Sequence, residues 1–256
     1  MSKFILVFLI ILLYLLKIIS SNSSYKNLLT LAFNANIATK GQFPFMVLVN
    51  GTCGGSLVTP SYVLTAAHCL PICKMFVKIG EIERSSPHWI IRSVSKTLEY
   101  IDDRFPYSDI ALLKLNESVP LSKEINVVQL PTRIINIDGL QLTTVRFGLT
   151  ENGQISNELR YVNLQGIDLK KCQLIVNKYY PYTVLSSSHL CAIPNPDNPN
   201  SGICDGDSGG PLVIKGTNIL VGINSIASPN CSKYLPDIFV NVSNYLDWIQ
   251  YNIKNE

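Results

Sequence analysis

Charge is scarce in this chain. Only 15% of its 256 residues are Asp, Glu, Lys or Arg, and the formal net charge is +3. So weak a balance leaves no electrostatic footprint for nucleic acid, and no nucleic-acid partner is expected. Histidine is scarcer still, with three copies: His68, His88 and His189. No metal-ligand cluster and no nucleotide-binding loop is present, so neither a metal nor any other cofactor is expected. The chain also lacks an internal repeat and any alternation of strand and helix patterns, which argues against repeat and α/β architectures. What it has is 47% hydrophobic residues, with 14 Pro and 15 Gly spread along its length. That suits a turn-rich β protein, either one large all-β domain or two small ones.

Residues 1–21 read as a secretory signal peptide: Lys3 gives the basic start, Phe4–Leu16 the apolar core, and Ser20-Ser21 the small residues near a cut. The rival is a retained membrane anchor. Lys17 interrupts the run, and the apolar core is shorter than the roughly 20 residues a spanning helix needs, which favours secretion. Losing the leader removes Lys3 and Lys17 from 21 basic residues and nothing from 18 acidic ones, so the balance falls to +1. No membrane contact is expected afterwards. Residues 22–31 read as a propeptide and 32–256 as the mature domain. Seven cysteines then lie in an extracellular compartment that permits disulfides. Five Asn-x-Ser/Thr acceptors, Asn22, Asn50, Asn116, Asn230 and Asn241, make the chain a candidate glycoprotein.

From Phe45 the pattern is β. The runs Phe45–Val49 and Gly55–Val58 flank Asn50-Gly51, a hairpin signal. Further strand-like runs are Phe76–Ile79, Trp89–Val94, Ala111–Leu115, Leu142–Phe147, Leu159–Leu164, Pro211–Ile214, Ile219–Ile223 and Ile238–Val242, with turn residues between nearly all of them. One helix is expected, at the C-terminus. Ser243 serves as its N-cap, and Tyr245, Trp248, Ile249 and Ile253 form an apolar packing stripe. Asn195–Asn200, rich in Pro and Asn, reads as a surface loop.

The chemistry gathers around Cys204-Asp205-Gly206-Asp207-Ser208-Gly209-Gly210-Pro211, where glycines let a tight turn present the Ser208 hydroxyl beside bare N–H groups. A Gly/Asp/Ser run alone is more often a surface turn. Thr65-Ala66-Ala67-His68-Cys69 and Asp109-Ile110-Ala111-Leu112-Leu113 lie upstream, however, giving the order His, Asp, Ser of a chymotrypsin-type triad. On these three blocks the chain, from about Ala38 to Tyr245-Leu246-Asp247-Trp248-Ile249, resembles the trypsin/chymotrypsin family of secreted serine endopeptidases.

The resemblance implies an all-β fold of two antiparallel six-stranded barrels with a C-terminal helix. It implies catalysis by His68, Asp109 and Ser208, an oxyanion hole from the N–H groups of Gly206 and Ser208, and Ser225 supporting Asp109. It implies disulfides Cys53–Cys69, Cys172–Cys191 and Cys204–Cys231, leaving Cys73 as either a buried thiol or the source of an intermolecular bond. The substrate pocket falls at Gly202, Ile203, Asp205, Ser225, Ala227 and Asp237. Glycine at 202 argues against strict Arg/Lys preference. Pro236-Asp237-Ile238-Phe239 resembles the brachyurins, in which a displaced aspartate accepts a basic side chain if exposed. Ile203 as a shield, and Asp237 as a plain turn residue, are the competing readings. A broad preference for apolar side chains is expected. The implied partners are protein or peptide substrates, an activating protease and protein inhibitors, acting on a monomer.

Departures from the family cluster at the activation junction. In the family, cleavage after a basic residue frees an amine that pairs with the aspartate before the catalytic serine. Here Leu31-Ala32-Phe33-Asn34-Ala35 stands at the junction, without the basic residue and with Ala32 as the new terminus. Asp207 is then expected to be buried without its partner if no amine arrives. Arg146-Phe147-Gly148 replaces Gly-Trp-Gly, and Ser225-Ile226-Ala227 replaces Ser-Trp-Gly. Two rivals to the secreted enzyme follow: a catalytically silent homologue that binds partners, and a membrane-tethered protease that keeps its leader.

Overall fold

A computed structural model describes residues 35–71, 74–101, 108–228, 231 and 235–255. The leader, the propeptide, Ala32, Cys73, Asn22 and Asn230 lie outside the described residues.

Six strands close into a first antiparallel barrel: β2 (Met46–Val49), β3 (Cys53–Thr59), β4 (Tyr62–Thr65), β5 (Phe76–Ile79), β6 (Ile90–Glu99) and β7 (Ala111–Leu115). The hairpin between β2 and β3 forms where Asn50-Gly51 places it. Both residues take positive φ, 50° and 71°, at the centre of a turn that the Thr52 amide closes by donating to the Val49 carbonyl at 3.0 Å. Val47, Val49, Leu57, Val63, Val77, Ile79 and Leu113 fill this barrel, all fully buried. The second barrel comprises β8 (Gln141–Arg146), β9 (Arg160–Ile167), β10 (His189–Pro194), β11 (Pro211–Ile214), β12 (Leu220–Ile226) and β13 (Asp237–Asn241). Pairing of β8 with β9 closes it, and the short β1 (Asn36–Ile37) adds to its β9 edge.

A shared core joins the barrels. Phe45, Leu64, Ile110 and Leu112 from the first meet Val213, Ile223, Val240 and Tyr245 from the second. Each such fully buried side chain contributes about 1.5–3 kcal/mol. Close approach of the two backbones requires glycine: a Cβ on Gly54 would lie 2.7 Å from the Cα of Gly210. Disulfides join Cys53 to Cys69, Cys172 to Cys191 and Cys204 to Cys231.

Three features differ from the sequence expectations. Strands β4 and β10 go beyond the expected runs. Helix α1 (Leu169–Asn177) was not expected either, although Asp168 caps it by accepting from the amides of Lys170 and Lys171 at 2.9 and 3.2 Å. The C-terminal helix α2 (Leu246–Asn255) is entered through a 3-10 turn over Val242–Tyr245. Its cap is Asn241, whose side chain accepts from Ser243, rather than Ser243 itself. Tyr245 and Ile249 bury their rings and methyls against the shared core, with Trp248 and Ile253 packed partly over it. No helix among the described residues is long and apolar enough to cross a membrane.

Candidate active site

Ser208 stands on the turn that leads into β11. The turn is tied down from both sides. The Ser208 carbonyl accepts from the amide of Gly54 in the first barrel at 2.7 Å. Asn224 on β12 holds the other side. Its Nδ2 donates to the Asp207 carbonyl at 3.0 Å, its carbonyl accepts from the Gly209 amide at 2.7 Å, and its Oδ1 accepts from Thr144. Gly209 has φ +78°, and a Cβ there would sit 2.2 Å from Thr65 Oγ1 and 2.5 Å from the Gly54 carbonyl. The turn therefore packs directly against the Thr65-Ala66 end of the segment that carries His68. Among the described residues the amides of Gly206 and Ser208 donate to no protein acceptor, which leaves both available to an external oxygen.

His68 occupies a single 3-10 turn after β4, pinned by the Cys53–Cys69 disulfide. Asp109, just before β7, receives three hydrogen bonds. The His68 amide donates to Oδ1 at 2.9 Å, His68 Nδ1 meets Oδ2 at 2.8 Å, and Ser225 Oγ donates to Oδ2 at 2.5 Å. Burial pushes the Asp109 carboxyl up, but these donors more than offset it and hold the group below the usual carboxylate value. The hydrogen bond to Asp109, with the attraction of its charge, raises His68 above the ordinary imidazole value despite partial burial. With Nδ1 committed to the carboxylate, Nε2 is the nitrogen left for proton transfer. Among the described residues no hydrogen bond joins Ser208 to His68.

A cleft of about 690 Å³ opens beside this network, lined by His68, Asp109, Ser225, Tyr182, Leu185 and His189 among others. His189 is half-buried at the start of β10, its Nδ1 accepting from the Ser186 amide; burial lowers it from the ordinary value. Ile226 and Thr183 are shared with a second, apolar cavity of about 200 Å³ that includes Val176, Tyr180, Ala227 and Leu235.

Asp237 is not an exposed carboxylate. It is 3% exposed and accepts from the amides of Ile203 at 2.9 Å and Ser228 at 3.2 Å. Burial pushes it up to about 7, the two amides opposing the shift. Ile203, 2% exposed, packs among Leu142, Leu164, Leu212 and Phe239, and Gly202 is buried beside it. Asp205 is exposed, and its carbonyl accepts from the Leu149 amide.

Asp207 is not unpartnered. Arg146, at the end of β8, places Nε 2.6 Å from its Oδ2, and both side chains are essentially inaccessible to solvent. A cation inside the apolar run Leu142–Phe147 is the signal that could have revealed this, because a buried guanidinium requires an anion. Asn224 gives no comparable signal, since its neighbours come from segments distant in sequence. His68 and the cysteines Cys53 and Cys69 place potential ligand atoms within 4.8 Å of one another, but the two sulfurs are bonded together and offer no thiolate to a metal.

Comparison with known proteins bears on the family and the fold. The chain is 31% identical over 231 residues to the serine protease SP24D of Anopheles gambiae, covering 86% of this chain and 80% of that protein. It is 31% identical over 242 residues to the ovochymase of Halocynthia roretzi, covering 84% of this chain but spanning only 14% of that protein's length. The solved structure titled human heparin binding protein superposes with a TM-score of 0.74, covering 88% of this chain and 97% of that one at 24% identity, a likeness of fold. The family model described as Trypsin matches residues 33–249, most of the sequence, and the chain belongs to the trypsin family of serine proteases.

Proposed function

We propose that this protein hydrolyses peptide bonds through an acyl-enzyme. Ser208 is the nucleophile, His68 takes its proton and returns it to the leaving amine, and Asp109 fixes the imidazole tautomer and stabilises the imidazolium. The amides of Gly206 and Ser208 receive the oxyanion. The observation that carries this reading is the three-donor network on Asp109 beside a cleft, with His68 Nδ1 at 2.8 Å. Signal-peptide removal at about residue 21 delivers the protein outside the cell, where it acts as a monomer on protein or peptide substrates, without a metal or cofactor.

Preference for an apolar side chain at the cleaved position is supported by the burial of Asp237, which withdraws the carboxylate that would attract Arg or Lys. The rival, a silent homologue that binds partners, is favoured by the altered junction at Leu31-Ala32. Fluorophosphonate labelling of the secreted protein, with a His68→Ala control, separates the two. His68-dependent labelling supports the enzyme; absence of labelling before and after cleavage behind Leu31 removes it.

A further inference from the structure

The acid that precedes the nucleophile is already neutralised from within the chain. Asp207 is fully buried, with Arg146 Nε 2.6 Å from Oδ2, the Cys204 amide donating to Oδ2 at 2.8 Å and the Gly148 amide donating to Oδ1 at 2.7 Å. Two further bonds stitch the same segments together: Arg146 Nη2 donates to the Leu149 carbonyl, and the Leu149 amide donates to the Asp205 carbonyl at 2.9 Å. Asp207 is the residue between the two oxyanion donors. Its side chain is drawn toward β8, and the intervening backbone turns at Gly206 with φ +86°. Among the described residues the amides of Gly206 and Ser208, on either side of Asp207, donate to no protein acceptor.

We propose that Arg146 is a positioning residue that holds the Ser208 turn in its oxyanion-binding shape, so that the turn is assembled in the uncleaved chain without a newly freed N-terminal amine. Space supports the assignment. Oδ2 already takes two donors, and a Cβ on Gly148 would fall 2.3 Å from Oδ1, so the pocket around the carboxylate is filled. Origin supports it as well: the guanidinium is covalently in place from synthesis, whereas an α-amine at the junction exists only after a cut. The junction Leu31-Ala32, which lacks a basic residue, fits a chain whose counter-charge no longer depends on cleavage there. The position is rigid, because Arg146 is the last paired residue of β8, opposite Arg160 on β9.

The activity arm of the test rests on the protease reading; a second arm does not. Residues 22–256 would be prepared uncleaved, the intact mass verified, and compared with the same protein trimmed to Ala32. Equal fluorophosphonate labelling rates, within about twofold, support the proposal, and labelling that appears only after trimming overturns it. Arg146→Gln should slow labelling of the uncleaved chain about 100-fold or more, the order of one lost oxyanion donor, with Arg146→Lys recovering part of the rate. Labelling of Arg146→Gln at the parent rate overturns the assignment. Hydrogen exchange of the amides from 204 to 209 needs neither activity nor mutation. Equal protection in the uncleaved and trimmed proteins supports the lock, and protection gained only on trimming overturns it. A parent that labels in neither form but shows equal protection would sink the protease reading while leaving the Arg146 lock standing.

Discussion

The amide of Ile203 donates to the carboxylate of Asp237 across 2.9 Å, inside the second barrel rather than at its surface. With the Ser228 amide on the other oxygen, Asp237 ties β13 to the segments before Ser208 and after Ser225. A carboxylate spent on two backbone donors and 3% exposed cannot receive a substrate guanidinium without giving up those bonds. Peptide substrates varied at the residue before the cut should therefore be cleaved with Leu or Phe favoured over Arg or Lys, by roughly tenfold and broadly rather than strictly, since a methylene discriminates by only about 1–3 kcal/mol. A profile dominated by Arg or Lys would show that Asp237 swings out to meet the substrate.

The same burial makes Asp237 a source of pH-dependent stability. Its folded-state value is raised from 3.8 to about 7, so between those limits the native state holds a proton that the unfolded state has released. Stability must then fall as pH rises through that window. Asp237→Asn cannot ionise and removes this contribution, though its amide nitrogen faces a backbone donor and lowers stability overall. The Tm deficit of the variant relative to the parent should narrow from pH 4 to pH 7. Parallel Tm curves would mean that Asp237 does not titrate in that range.

His68 and Asp109 set a different pH response. The proposed mechanism requires neutral His68, and the hydrogen bond to Asp109 raises the imidazole above 6.5. The acid limb of kcat against pH should accordingly lie above 6.5 and move down in Asp109→Asn, along with a loss of about 10⁴-fold in kcat from the wrong tautomer. The sign for stability is that of a raised histidine: the charged form gains in the folded state, so its contribution is full below 6.5 and fades as pH rises through the raised value. An acid limb unchanged by Asp109→Asn would break the assignment of the pair.

Much of this was legible in the sequence where chemistry needs special backbone. Glycines around Ser208, Asn50-Gly51 at the first hairpin, and the Ala-Ala-His-Cys block all mark local geometry, and the strand runs, whose period and turns are local too, point to an all-β chain, while the division into two barrels came from the family resemblance. The Asp207 counter-charge was legible only in part, as a cation inside the strand-like run Leu142–Phe147 that requires an anion once buried. The expectation of an unpartnered carboxylate considered only the missing amine, whereas Arg146 reaches it from 61 residues away through strand pairing that no local pattern announces. Whether Asp237 is exposed or shielded by Ile203 was left open for a similar reason, since only the fold brings the Ile203 and Ser228 amides onto its carboxylate. Helix α1 escaped because its apolar face is short, with Cys172 and Val176 its buried residues.

The acceptor asparagines separate by geometry. Asn241 is 7% exposed, with Oδ1 accepting from the Ser243 amide and Nδ2 donating to the Ser187 carbonyl, so a glycan there would break the cap that starts the C-terminal turn. Asn116 is exposed just after β7. Mass spectrometry of the protein made in a glycosylating host should find Asn116 occupied and Asn241 bare. Occupancy at Asn241 in folded, secreted protein would contradict the packing of this corner.

Gly148 offers the most local test of the turn that carries Ser208. A Cβ at this position would stand 2.3 Å from Asp207 Oδ1, 2.5 Å from the Asp205 carbonyl and 2.7 Å from Asp207 Cγ, against atoms that are backbone or locked in a buried ion pair. None can yield as a flexible side chain would, so Gly148→Ala must displace Asp205–Asp207 and with them the Gly206 amide. The expected cost is about 1–3 kcal/mol of stability from overpacking, together with a drop in kcat on the order of 100-fold from a misplaced oxyanion donor. Gly216→Ala is the matched control. Its φ of +78° strains an alanine by about 1–2 kcal/mol, but nothing lies within 4 Å of the new methyl and the position is remote from the turn. Comparable stability losses with kcat reduced only in Gly148→Ala would tie the rate to the turn itself. Equal kcat in the two variants would mean that the Ser208 turn tolerates the shift and that its shape is held elsewhere.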